Sequence, residues 1–223
     1  MSESIVRQLI IKDLRLMKLP AIAYWISGLV SIVVVVVGGD VAGMTAIILF
    51  IAALFGTGVH SAMLTVTEER REQTLPFIMS LPITIREYTS AKLIGNMLLV
   101  GGVWLTLSAA SYVVFIGEAL PLGAVPFITI VLIGILLAYV VILATTLIWE
   151  TMTPTIVALV AANLCTQGLL WWIASLHGIR STIGGNAIVW NTTSIAVIAL
   201  QVAGIIALLA ITYQLQARKT SFI

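Results

Sequence analysis

The sequence predicts an all-α polytopic membrane protein with six transmembrane helices, and three observations carry this prediction. Hydrophobic residues make up 61% of the 223 residues and charged residues only 9%, whereas about a quarter of the residues in a soluble domain are charged. The mean hydropathy is +1.16. Six stretches are also long and apolar enough to cross the hydrocarbon core, which takes about 20 helical residues. The composition therefore excludes a water-soluble fold.

The predicted spans contain no Asp, Glu, Lys or Arg, and turn-forming residues such as Gly38-Gly39-Asp40 separate them. Together they form one transmembrane domain that covers residues 1–223. The spans are expected at about 20–38, 43–66, 93–116, 124–149, 153–176 and 193–215.

The positions of the basic residues predict the orientation of the chain. Ten of the eleven Lys and Arg residues lie before the first span, between spans two and three, or after the last span, and only Arg180 lies elsewhere. Cytoplasmic loops carry an excess of Lys and Arg. Both termini and residues 67–92 are therefore expected in the cytoplasm and the 177–192 loop outside, which predicts a multi-pass protein of the plasma membrane (or inner membrane).

Residues 4–18 have the pattern of an amphipathic helix. At 100° per residue the apolar side chains share one side and the basic side chains the other, with Asp13 as an acidic exception. Such a helix is typical of the membrane interface, where its basic side faces lipid headgroups. Pro20 is expected to end this helix and turn the chain into the first span. The alternative is that residues 4–18 simply extend the first span into the cytoplasm.

The connection between spans two and three, residues 67–92, contains many of the charged residues and helix-capping motifs that bear on function. Residues 68–92 hold eight of the twenty charged residues. A helix that leaves span two would place Glu68 and Arg71 next to each other. Thr74 can cap a short helix that must end before Pro82. Thr84 and Glu87 then fit a capping box that opens the helix into span three.

Apolar side chains are expected to be exposed at the tip of this connection, on the short helix near residues 75–81. An exposed apolar patch ringed by charge usually marks a contact with another protein. The connection is 26 residues long, and long structured connections tend to be functional. The alternative is an ordinary solvated loop.

The same connection resembles that of the ABC-2 type permeases, the transmembrane subunits of type V ABC exporters. The run "ERREQTLPFIMSLP" is followed by Lys92 just before span three, and the number of spans and the N-terminal helix are also similar to this family. Gln73 stands where the family usually has Gly, and Pro76 is an additional breaker. The positions that match the family pattern are Glu69, Glu72, Thr74, Leu75, Leu81, Pro82 and Lys92.

The resemblance implies a permease subunit that works as a dimer, most simply a homodimer, with two separate ABC ATPase subunits docked beneath it. ATP and Mg would bind to those ATPases, and the helix near 75–81 would be the coupling helix that seats in them. The family also tends to place short helices in the external loop between spans five and six, here residues 177–192. The ATPase-coupling residues implied are Glu69, Arg70, Arg71, Glu72, Thr74, Leu75, Pro76, Phe77, Ile78, Leu81 and Pro82.

The chain lacks the motifs of an enzyme. It has no phosphate-binding G-x-x-x-x-G-K-[ST] loop and no H-E-x-x-H metal motif, and its two histidines are expected on opposite sides of the membrane. Cys165 is the single cysteine, so a thiol metal site is not expected. We expect no catalytic residue, no cofactor or metal bound by this chain, and no nucleic-acid partner.

Two other functions remain alternatives: an ion-coupled secondary carrier, and a non-transporting membrane anchor or immunity protein. Ion coupling commonly uses a carboxylate within the membrane, and the predicted spans contain none, although backbone carbonyls can also hold sodium. The apolar spans and short external loops favour a lipophilic or amphipathic cargo, such as a peptide, drug or lipid.

A few polar side chains lie within the predicted spans. Interhelical hydrogen bonding explains such residues most simply, and Gly56, Gly58 and residues 101–102 similarly suggest close helix packing. Lining of the translocation pathway is the functional alternative for His60, Asn96, Asn163 and Gln167.

Overall fold

The computed structural model describes residues 2–72, 83–117, 120–149 and 152–218, and each regular element within these ranges is a helix. Six helices are long and apolar enough to cross a membrane. The prediction of an all-α protein with six spans is therefore confirmed.

Each long helix overlaps one predicted span, although α1 and α4 begin well before theirs, and shorter helical turns lie between some of the long helices. The chain passes from the second long helix through a π-helical turn at Met63–Thr67, and a 3₁₀ turn at Leu122–Ala124 precedes the fourth. The α-helices are α1 (Ser2–Val37), α2 (Gly39–Ala62), α3 (Glu68–Arg71), α4 (Ile85–Ile116), α5 (Val125–Ile148), α6 (Met152–Ser175), α7 (His177–Arg180) and α8 (Thr192–Ala217).

The first helix differs from the prediction because α1 runs without a break from Ser2 to Val37 and contains Pro20. Residues 4–18 are helical, but the prediction that Pro20 ends this helix is wrong. A proline inside a helix removes one backbone hydrogen bond, and here packing on both sides of it compensates. Leu9 packs against α4 before the proline, and Trp25 Nε1 donates a hydrogen bond to Thr106 Oγ1 of α4, 3.0 Å away, after it.

Helix α5 lies at the centre of the bundle. Its mostly aliphatic side chains are buried over much of its length, and Tyr139 and Leu143 belong to the largest hydrophobic cluster. Helix α6, by contrast, buries only Thr155, Ala162 and Ile173. The outer surface of α6 is therefore available to lipid or to another protein chain.

Close helix packing occurs at two of the glycines that were expected to allow it. A Cβ atom at Gly56 would lie 2.8 Å from the Tyr24 ring, and one at Gly58 would lie 2.6 Å from the Tyr139 ring. At glycines 101–102 no described atom lies within 4 Å of the corresponding position. The expectation of close packing is therefore wrong for residues 101–102 within this chain.

The connection between α6 and α8 contains one short helix, α7, which ends before the glycine pair at 184–185. The backbone N–H of Gly123 donates to the carbonyl of Gly185, 2.8 Å away, and thereby holds this connection against the start of α5. Asn191 then caps α8 by accepting a 2.8 Å hydrogen bond from the Ser194 N–H.

The residues that flank the predicted coupling helix are described, but the helix itself is not. Thr84 and Glu87 form the predicted capping box at the start of α4. The predicted Glu68–Arg71 pair is also present in α3, at 3.2 Å. Outside the described residues lie Thr74, Leu75, Pro76, Phe77, Ile78, Leu81 and Pro82.

Candidate functional site

At one end of the bundle, α1, α3 and α4 bring four charged side chains together. We call Lys12, Asp13, Glu69 and Lys92 the charged cluster. Lys92 is fully buried, Asp13 is 2% exposed and Glu69 is 6% exposed. The two lysines balance the two carboxylates, so the cluster carries no formal net charge. Such balance is what allows charged groups to be buried away from water.

Lys92 is the centre of the charged cluster. Its Nζ donates to Asp13 Oδ1 at 3.0 Å and to Asp13 Oδ2 at 2.8 Å. It also donates to Glu69 Oε1 at 2.7 Å and to the Thr65 carbonyl at 2.7 Å. The Tyr88 ring lies 5.5 Å from the same nitrogen, within cation–π range. Polar partners therefore use all the donor capacity of the ammonium group.

Glu69 joins three helices through its carboxylate. Oε1 accepts hydrogen bonds from Lys92 of α4 and from Lys12 of α1. Oε2 accepts from the Tyr88 hydroxyl of α4 at 2.9 Å. Because Glu69 belongs to α3, these bonds fix the exit from the second span against both α1 and α4.

The π-helical turn at Met63–Thr67 places a backbone carbonyl in the site. Within this turn the Glu68 N–H donates to the carbonyl of Met63, five residues earlier. The carbonyl of Thr65 in turn accepts from Lys92 Nζ. Such turns occur frequently at functional sites because they change the direction of groups on an otherwise regular helix. Here the turn lies where α2 meets the buried ammonium group.

A buried hydrogen-bond network continues from the charged cluster into the membrane helices through Asn96. Its Nδ2 donates to Thr65 Oγ1 at 2.9 Å and to the Lys92 carbonyl at 3.0 Å. Its Oδ1 accepts from Ser61 Oγ at 2.7 Å and from the Tyr139 hydroxyl at 3.4 Å. Asn96 therefore links α2, its π turn and α5 to α4.

The structure does not bring the four candidate pathway residues together. Asn96 is 1% exposed and engaged in the network above. His60 lies beside Tyr24, with Nδ1 3.4 Å from the hydroxyl and the rings edge to face. Asn163 and Gln167 are exposed on α6, four residues apart and so on the same side of that helix. Pathway lining remains a prediction for these residues.

The described members of the predicted ATPase-coupling set divide into buried and exposed residues. Arg71 and Glu72 are exposed at the end of α3 and its following turn, where another protein could reach them. Glu69 is buried in the charged cluster, so its carboxylate is not presented to another protein. The side chain of Arg70 lies outside the described set.

Sequence reasoning missed Lys12 and Asp13 as members of this site. The available signal was the acidic residue on the basic side of the α1 pattern, together with a lysine directly before the apolar run of α4. An acid and a base that each break a pattern are candidates for pairing. Asp13 and Lys92 are 79 positions apart in the chain, so the sequence pattern alone does not show that they are partners.

The comparison with protein families decides the identity. A family model described as ABC-2 family transporter protein matches residues 8–220. The chain belongs to the ABC-2 transporter family. It is a multi-pass plasma-membrane protein and a permease component of an ABC transporter, and membership implies association with an ABC ATPase. No curated protein and no solved structure gave a match.

In this ABC-2 permease the charged cluster lies on both sides of residues 73–82. Glu69 precedes that stretch and Lys92 follows it, and the two side chains are hydrogen bonded to each other. Asp13 and Lys12 add the N-terminal helix to the same junction. The cluster therefore links α1, α3 and α4 where residues 67–92, which are predicted to lie in the cytoplasm, connect to the membrane helices.

Proposed function

We propose that this permease forms the translocation pathway of an ATP-driven exporter as a dimer, and that residues 68–92 couple it to separate ATPase subunits. The observation that carries the proposal is the Glu69–Lys92 contact, 2.7 Å between Oε1 and Nζ. This contact joins the two ends of the segment to which the coupling helix is assigned.

A partner that pushes on a segment moves the membrane helices only if the segment is firmly connected to them. On one side, α2 continues through its π turn into α3. On the other side, α4 begins at the Thr84 cap and continues to Ile116. Packed elements of this kind transmit displacement because they resist compression. The charged cluster adds α1, so three membrane helices would move together.

The arrangement of the charged groups also bears on the alternative function, an ion-coupled secondary carrier. Asp13 and Glu69 are buried acids, which an ion-coupled carrier could use. Both carboxylates are paired with lysines, however, and lie at one end of the bundle. This pairing favours a structural junction, with energy supplied by a separate ATPase.

A homodimer fits the exposed surface of α6. Besides Asn163 and Gln167, this surface presents large apolar side chains such as Leu164 and Trp171. Amide groups on a membrane-facing surface are stabilised when a second helix covers them. The mostly apolar spans support a cargo that is lipophilic or amphipathic, such as a peptide, drug or lipid.

The first experiment is to purify the chain gently from its native membranes and to identify the proteins that accompany it by mass spectrometry. An ATPase with a phosphate-binding loop, in near-equal amount, is the expected result. Vesicles that contain the complex should then transport cargo only with ATP. Transport without ATP that stops when an ion gradient is collapsed would instead establish the carrier.

The coupling assignment has its own test. The substitutions Leu75→Asp and Ile78→Asp place a charge on the proposed coupling helix, and we expect ATP hydrolysis to continue while transport is lost. Gln8→Asp is the matched control, because Gln8 is exposed on α1 and lies outside the segment. If transport survives both substitutions in the segment, residues 75–81 do not couple the two proteins.

A further inference from the structure

Helix α6 carries a straight row of outward-facing residues whose spacing alternates between four and three positions. The first members are exposed, Ile156 by 51% and Val160 by 49%, and the last two are partly exposed. An alternation of this kind is the seam of a left-handed pair of helices. We call this row the α6 seam, and its members are Ile156, Val160, Asn163, Gln167, Leu170 and Ala174.

The exposed part of the α6 seam faces away from the helices that α6 contacts. The residues that α6 buries, Thr155, Ala162 and Ile173, lie about 100° around the helix from the seam. Ala158, Ala161 and Cys165 line a cleft toward α8, and they lie on the side of α6 opposite the seam. The third side of α6, which carries the seam, is therefore left for another chain or for lipid.

Two amide side chains lie in the exposed part of the seam at membrane depth. Helix α6 has 24 residues and is about 36 Å long, so Asn163 lies near its middle and Gln167 about 6 Å closer to its end. The hydrocarbon core is about 30 Å thick. Neither amide forms a hydrogen bond with another described residue. Because an amide in hydrocarbon is unfavourable without a hydrogen-bond partner, a helix that supplies one would stabilise both side chains.

The partner that matches these amides is the same helix of a second copy. Two copies with one orientation in the membrane are related by a two-fold axis along the membrane normal. Where this axis passes beside α6, each seam residue lies opposite its counterpart at the same depth. An amide both donates and accepts hydrogen bonds, so Asn163 and Gln167 are each complementary to their own copy. A helix of another protein would need a matching polar group at both depths.

We propose that the α6 helices of two copies pack in parallel along the α6 seam, with Asn163 and Gln167 each hydrogen bonded to its counterpart. This inference rests on the homodimer proposed above, and it assigns the contact to one row of residues and its specificity to two amide layers. Apolar seam residues alone give little preference for a second helix, because lipid tails are as apolar as their side chains. The amides supply that preference.

Cysteine cross-linking tests the geometry of the contact. Cys165 is the single cysteine, so Cys165→Ser gives a background without thiols. In that background Val160→Cys places a thiol in the seam, and mild oxidation of membranes that contain the full chain should give a disulfide-linked dimer. Facing positions of such a helix pair lie within the Cα separation of a disulfide, about 4.4–6.8 Å. Val157→Cys is the matched control, because Val157 is 60% exposed but lies about 100° from the seam, and it should give no dimer.

Substitution of the amides tests the hydrogen bonds. The full chain is reconstituted in liposomes at decreasing protein-to-lipid ratios, and dimers are counted by single-molecule photobleaching. Asn163→Leu/Gln167→Leu should need about tenfold more protein per lipid for the same dimer fraction, as the loss of hydrogen bonds between membrane helices predicts. Asn163→Gln retains an amide and should lose less. Gln214→Leu removes an exposed amide of α8 and should leave the dimer fraction unchanged.

The fold of the single chain is checked separately. Asn163 and Gln167 are exposed in one chain, so the leucine variants should unfold at the same temperature as the native chain in detergent that separates the copies. A lower dimer fraction with unchanged unfolding then reports the contact between chains.

Several results would overturn the proposal. A dimer in liposomes without cross-linking of Val160→Cys would keep the homodimer but refute the contact along the α6 seam. Equal cross-linking of Val160→Cys and Val157→Cys would show random collision, and an unchanged dimer fraction in the double leucine variant would remove the role of the amides. Cross-linking of Val160→Cys to a different protein would show that another chain covers the seam. A chain that stays monomeric at every density, yet purifies with an ATPase, would refute the homodimer and this contact while leaving ATPase coupling intact.

Discussion

Asp13 and Lys92 form a buried ion pair across 79 positions of the chain, with Lys92 Nζ 2.8 Å from Asp13 Oδ2 and 3.0 Å from Oδ1. The pair fixes the N-terminal helix to α4 beside the segment that we assign to ATPase coupling. A buried pair is not by itself a source of large stability, because both charges lose their hydration. Removing one member, however, leaves the other charge uncompensated.

We therefore expect Lys92→Met to destabilise the permease by about 3–5 kcal/mol, the usual effect of removing one partner from a buried pair. The variant retains the length of the side chain but leaves Lys12 as the remaining lysine of the charged cluster beside Asp13 and Glu69. Thermal unfolding of the purified protein in detergent measures the change. Lys92→Arg keeps the positive charge but places a larger group in the same buried space. We therefore expect its stability to lie between that of Lys92→Met and that of the native chain.

The double variant Asp13→Asn/Lys92→Met restores the charge balance of the cluster and should recover part of the lost stability. Arg71→Met is the surface control, since Arg71 pairs with Glu68 at an exposed position, and it should have an effect of about 0–1 kcal/mol. Equal effects of Lys92→Met and Arg71→Met would show that the cluster is not buried in the folded protein.

The two asparagines of the candidate pathway should respond differently to substitution by alanine. Asn96→Ala removes hydrogen bonds to Ser61 and Thr65, and bonds of this kind between membrane helices contribute roughly 0.6–2 kcal/mol. Asn163→Ala changes an exposed side chain and should leave stability unchanged. Measuring the thermal unfolding and the transport rate of both variants distinguishes a structural role from a role in lining the pathway. Loss of transport in Asn163→Ala without loss of stability would support a pathway role, and the reverse pattern would contradict it.

The overall architecture could be predicted from sequence because the membrane imposes a simple rule: each span needs a long apolar helix. The prediction failed at Pro20, where the local preference of proline to end a helix was outweighed by tertiary contacts. Leu9 and Trp25 both pack on α4, and no local sequence pattern predicts such contacts. The Thr84–Glu87 capping box succeeded because its partners are three residues apart.

The candidate site was predicted only in part for the same reason. Glu69 and Lys92 were identified through a resemblance to a family, yet their contact with each other and with Asp13 depends on how three helices pack. In the π turn, the Thr65 carbonyl accepts a hydrogen bond from Lys92. The apolar pattern of the second span does not predict this turn. Long-range pairing therefore needed the structure.

The capping box gives a local prediction. Thr84→Ala removes the side chain that accepts from the Glu87 N–H at 3.3 Å, and loss of such a cap typically costs about 1 kcal/mol. We expect faster hydrogen exchange of the amides in the first turn of α4, with little change in the middle of that helix. Thr84→Ser retains the hydroxyl and is the control. Unchanged exchange in Thr84→Ala would mean that the helix start is held by other contacts.

Two glycines in spans should respond oppositely to alanine. At Gly58 a new methyl group would lie 2.6 Å from the buried ring of Tyr139, and overpacking of this kind usually destabilises by about 1–3 kcal/mol. At Gly101 no described atom lies within 4 Å, so Gly101→Ala should stabilise α4 by up to about 1 kcal/mol through its higher helix propensity. Thermal unfolding in detergent tests both variants. A neutral Gly58→Ala would contradict the close approach of α2 to α5, and a destabilising Gly101→Ala would show that another helix covers α4 there in the assembled transporter.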